Sequence, residues 1–130
     1  MNIKRNNMEW TGLHDLALIY LSLTHGADAD LDAAEMEAMS VKLNEWKPGE
    51  QFSLIRRVLN DVLLVYTSPQ RNQMLETAIA SVGEDMSRSE RVAVLNDLAD
   101  IASADGIIVG GEISFIQTLA KKWGVEGEAS

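Results

Sequence analysis

Apolar residues recur at steps of three and four along nearly the whole chain, and this period rules out most folds before composition is considered. Such spacing places one face of an α-helix against a core, whereas a half-buried strand alternates every second residue. Leu13, Leu16, Ala17, Tyr20, Leu21 and Thr24 follow it, and Leu18, Ile19 and Leu23 widen the stripe until most of the helix is apolar. A helix of that kind belongs in the middle of a bundle. The spacing predicts a first helix over about Thr11 to Thr24, with His25-Gly26 as its C-terminal stop.

Punctuation divides the rest. Asp32 as N-cap with Glu35 three residues on resembles a capping box and opens a second helix. Met36, Met39, Leu43 and Trp46 form its inner face, and Lys47-Pro48-Gly49 stops it. A third helix is expected over roughly Glu50 to Thr67, with Phe52, Ile55, Leu59, Val62 and Tyr66 inward. Ser68-Pro69 reads as a cap followed by Pro at the first helical position. A fourth helix then carries Met74, Ala78, Ile79 and Val82, and Gly83 is expected to close it. Ser87 to Glu90, "SRSE", is a capping box for a fifth helix with Val92, Leu95, Leu98, Ala99 and Ala102 inward. The sixth starts near Gly110, carries Ile113, Ile116, Leu119, Ala120 and Trp123, and ends at Lys121, Lys122 and Gly124. "GIIVGG" is the only β-like run, and its flanking glycines read as a short extended loop. The expectation is an all-α single helical bundle of about six to seven helices over residues 9–125, between polar tails at 1–8 and 126–130.

Two segments recur. "ADADLDAAE" (27–35) and "ADGIIVGGE" (104–112) share Ala-Asp at the start and a Glu seven residues after the Asp. A shift of 77 residues sets Asp28 on Asp105, Glu35 on Glu112 and Trp46 on Trp123 without a gap. Leu18 then meets Leu95 and Leu21 meets Leu98. The chain is expected to contain a pseudo-repeat of two helix-acidic loop-helix units, with helices three and four between them.

The second copy, "LADIASADGIIVGGEISFIQTLAKKWGV", resembles the recurring unit of the TerB-like family. That family comprises the tellurite-resistance TerB proteins and the related N-terminal region of DjlA-type co-chaperones. Its unit is a helix, then Ala-Asp-Gly, then a helix opened by Glu. Asp105, Gly106 and Glu112 match; the first copy departs from the pattern, with Ala29 where Gly is usual. The resemblance spans most of residues 11–125. It implies an all-α bundle and a non-enzymatic, stress-associated binding or adaptor role with a protein partner. No His-Pro-Asp signature of a J-domain is present.

The acidic loops admit two readings. Asp28, Glu35, Asp105 and Glu112 offer the oxygen ligands that Ca²⁺ or Mg²⁺ prefer, with Asp30 and Asp32 as weaker additions. An EF-hand fails: Ala33 stands where its loop needs Gly, and Met39 where it needs the bidentate Glu. In the other reading Asp105 forms an Asx-turn, and Glu112 complements the dipole at its helix start. No catalytic residue is proposed. His14 and His25 form no HExxH pair, and no GxSxG, P-loop or dinucleotide-binding glycine pattern occurs. Met36, Met39 and Met74 sit at core spacing rather than in an exposed groove.

Bulk properties bound the partners. A net charge of −9 disfavours nucleic acid, whose phosphates require clustered Lys and Arg. The absence of cysteine excludes disulfides and thiolate sites and fits a cytoplasmic location, as does a start with no apolar signal region. The apolar runs are too short to span a membrane.

Overall fold

A computed structural model of the chain describes residues 10–27, 33–46, 52–103 and 110–126. Among them there are six helices and no strand. They are α1 (Gly12–Ala27), α2 (Ala33–Trp46), α3 (Phe52–Tyr66), α4 (Arg71–Asp85), α5 (Arg88–Ala102) and α6 (Gly110–Lys122). None is long and apolar enough to cross a membrane.

The all-round apolar character of α1 makes it the axis of the bundle. Leu13, Leu16, Ala17, Leu18, Ile19, Tyr20, Leu21 and Leu23 are all buried, and α1 touches each of the other five helices. Each large aliphatic side chain buried this way stabilises the fold by about 1.5–3 kcal/mol relative to exposure. Met39 and Met74 are core residues, as their spacing required.

The packing carries the mark of the repeat. α1 packs on α2 as α5 packs on α6, and the α1–α6 contact is matched by α5 against α2. Between α1 and α5 the Tyr20 hydroxyl donates to Asp97 Oδ2 at 2.8 Å, across a separation of 77 residues. These are equivalent positions under the repeat shift. α3 and α4 pack chiefly on α1.

Four glycines were expected to end helices; Gly49 lies outside the described residues, and of the other three one does. Gly124 has φ +70, and two bonds close the end of α6: Gly124 N–H to Lys121 O (3.2 Å) and Val125 N–H to Ala120 O (2.9 Å). This is a Schellman motif, with Val125 buried as its apolar lock. Gly26, by contrast, lies inside α1, which continues to Ala27. Gly83 lies inside α4, whose C-cap is the extended Met86. A Cβ on Gly83 would stand 3.1 Å from Trp123 Cδ1, so that glycine serves a close helix approach, not a stop. Ser68-Pro69 also differs from expectation. Ser68 Oγ donates to Val65 O, closing α3, and α4 begins only at Arg71 without a side-chain cap. The capping box of α5 is as read: Ser87 Oγ accepts from Glu90 N–H, and Glu90 Oε1 accepts from Ser87 N–H. On α6 the inward face runs through Glu112, Ile116, Leu119, Ala120 and Trp123, which leaves Ile113 at the flank and 46% exposed.

Candidate functional site

The first turn of α1 is closed by one half of a capping box. Thr11 precedes the helix, and its carbonyl accepts from Asp15 N–H. Three residues on, His14 takes the place a Glu holds in a capping box: its Nδ1 accepts the Thr11 backbone N–H at 3.1 Å. That bond leaves the ring proton on Nε2, which donates to Asp61 Oδ2 of α3 at 2.9 Å. The Thr11 hydroxyl lies 2.8 Å from the same Nδ1. Thr11, His14 and Asp61 thus have the atoms of a hydroxyl–imidazole–carboxylate relay. The Nδ1 lone pair is already engaged by a backbone amide, however, so the arrangement fixes the helix start and locks α1 to α3.

The Trp10 ring leans on His14 at 4.9 Å between centroids, and its indole N–H donates to Asp15 Oδ1 at 2.7 Å. Asp15 is thereby held over a cleft at one end of the bundle. The cleft has a volume of about 310 Å³ and lies between the start of α1, the last residue of α2 and the end of α4. Leu13, Leu16, Val82, Met86 and Trp46 supply its apolar walls; Asp15 and Asp85 supply its charge. Burial pushes the Asp15 carboxyl up to about 6, against the Trp10 hydrogen bond that favours its ionised form. The nearby Asp85 charge adds to the rise. Among the described residues neither carboxylate pairs with a Lys or Arg.

Behind Trp46 lies a polar knot in the core. Its indole N–H is shared between Asp97 Oδ2 (2.8 Å) and the Tyr20 hydroxyl (3.0 Å). Lys42 of α2 bonds Asp100 at 2.8 Å and lies 3.8 Å from Asp97. Desolvation raises the Asp97 carboxyl, opposed by its bonds from Tyr20 and Trp46 and by the Lys42 charge. Burial and the adjacent Asp97 push the Tyr20 phenol far upward. The knot ties α1, α2 and α5 and fixes the indole that forms one wall of the cleft.

The acids proposed from sequence are placed as follows. Asp28, Asp30, Asp32 and Asp105 lie outside the described residues. Glu35 lies in α2, and its side chain is also outside them. Glu112 is in the first turn of α6 and 3% exposed. Among the described residues no group of three or more His, Asp or Glu side chains could hold a metal ion.

Sequence reasoning missed the cleft. Asp15 reads as an ordinary acid in a first turn, and nothing local reveals that the end of α4 folds over it. The polar knot left a trace, since the 77-residue shift sets Tyr20 on Asp97, two polar groups inside apolar stripes. Trp46 and Trp123 do stand at corresponding helix ends, but their surroundings differ. Trp46 is half-buried and bonded to a carboxylate; Trp123 is 3% exposed and donates to Ile79 O at 2.9 Å. Comparison with protein-family models, curated proteins and solved structures finds no match to this chain.

Proposed function

We propose that this chain is a non-enzymatic binding domain of the TerB-like kind, a stress-associated adaptor that engages its ligand or partner through the cleft between α1, α2 and α4. The observation that carries this reading is the cleft itself: apolar walls, a volume in the range of small-ligand sites, and two carboxylates among its lining residues. A binding role is favoured over a catalytic one because both ring nitrogens of the adjacent His14 are engaged in holding the fold. The TerB-like assignment is supported by Asp105, Gly106 and Glu112 and by the all-helical architecture into which their segment leads.

The test is an NMR screen of a small fragment library against the labelled domain. Hits should shift the backbone amides of Leu13, Asp15, Ser81, Val82 and Met86, and the Ser81→Trp variant, which fills the cleft, should lose them. Hits that map consistently to another face would contradict the proposal.

A further inference from the structure

Two features of the cleft do not fit a purely apolar ligand. The part-buried Asp15 of α1 and the exposed Asp85 of α4 both line it, and among the described residues no basic side chain answers either of them. A carboxylate removed from water without a partner is costly, and folded chains normally pair it. Here the Asp15 carboxylate is held in place by Trp10, while the Trp46 indole, fixed by Asp97 and Tyr20, also lines the cleft. An aromatic wall beside unpaired carboxylates is the usual surrounding of an organic cation. The whole chain, at −9, would draw such a ligand in.

We infer that the cleft takes a small organic ammonium ion with an apolar body, its charge set between Asp15 and Asp85 and its body against Leu16, Val82, Met86 and Trp46. This rests on the reading of the cleft as the binding site and adds the chemistry of the ligand. Two charges act on Asp15, Asp85 on α4 raising it and His14 on its own helix lowering it, while Asp61 of α3 is bonded behind that histidine. α2 lines the cleft with the neutral Trp46. Because burial raises the Asp15 carboxyl to about 6, the charge that recognises an ammonium ion is present above that pH and lost below it. Affinity should therefore fall on acidification, a direction opposite to that of a ligand recognised by apolar contact alone.

The experiment compares phenethylammonium with its neutral isostere 2-phenylethanol and with the anionic 3-phenylpropionate, by NMR titration of the full chain at pH 7.5 and pH 5. Phenethylammonium should bind at least tenfold tighter than the alcohol at pH 7.5, with the carboxylate weaker than either. The preference should shrink several-fold at pH 5, and likewise in Asp15→Asn. Asp85→Asn, at an exposed position, gives a second variant that leaves the core untouched. Equal binding of ammonium and alcohol would overturn the cation inference while leaving the cleft as a site. No binding of any of the three would remove both. If Lys4→Gln with Arg5→Gln raises phenethylammonium affinity tenfold, the chain's own basic residues are the occupant and the inference of an external ligand fails.

Discussion

Asp15 is the residue at which fold and proposed function oppose each other. Its carboxyl is raised to about 6 from an ordinary 3.8, chiefly by burial. An acid whose folded pKa exceeds its unfolded one holds its proton more tightly when folded. The stability this provides is complete below about pH 4 and is lost as pH rises through about 6. Two units correspond to about 3 kcal/mol, and partial exposure of the group reduces this to about 1–2 kcal/mol. Asp15→Asn keeps an oxygen for Trp10 and carries no charge. In urea unfolding it should exceed the wild type by about 1–2 kcal/mol at pH 7.5 and by little near pH 4. Asp97 is also raised by burial, but it is the shared acceptor of the polar knot. Asp97→Ala removes the acceptor of the buried Tyr20 hydroxyl proton and leaves the Trp46 indole with Tyr20 alone, and should cost about 2–4 kcal/mol. Tyr20→Phe leaves Asp97 with Trp46 and Lys42 and should cost only about 1 kcal/mol. Equal losses in the two variants would mean that the knot is not organised around the carboxylate.

At the scale of elements, what the sequence made legible follows from how local each signal is. The Ser87–Glu90 capping box and the Lys-Lys-Trp-Gly end of α6 involve neighbours only, and both formed as read. Gly83 was misread because its reason is not local. The approach of the Trp123 ring, forty residues on, decides it, and a glycine in an apolar stripe gives no sign of whether it ends a helix or admits a neighbour. Gly83→Ala separates the two roles. Helix propensity alone would favour alanine by about 1 kcal/mol. The indole is buried and held by Ile79 O, so it has little room to yield, and the overpacking should cost about 1–3 kcal/mol. A lowered Tm is expected; a raised one would show that the α4–α6 contact is loose. The cleft was illegible for a related reason. It arises where the start of one helix meets the ends of two others, a meeting that no window of sequence contains.

For the molecule as a whole, the fold class and the order of helices were readable because periodicity and capping agree along most of the chain. The 77-residue shift read from the sequence pairs Tyr20 with Asp97, and these two residues are hydrogen-bonded between α1 and α5. The acidic loops call for a thermodynamic test. Melting curves of the wild type and Asp105→Ala, with and without millimolar Ca²⁺ or Mg²⁺, distinguish their two readings. If Asp105 acts in turn formation, its loss costs about 0.5–2 kcal/mol regardless of cation. If it ligates, the wild type gains stability with ion concentration and the variant does not. The adaptor reading predicts equal curves with and without ion for both proteins.

Recognition of a cation in the cleft rests on one carboxyl group, Asp15, part-buried and without a basic partner among the described residues. Its most direct test is a ¹³C NMR titration of the Asp15 side chain in the full chain without ligand. A midpoint near 6 is expected, moving downward when phenethylammonium is added, because a bound cation favours the ionised form. A midpoint near the ordinary 3.8, unmoved by the amine, would show Asp15 to be open to water and would contradict its role in recognising a cation in the cleft.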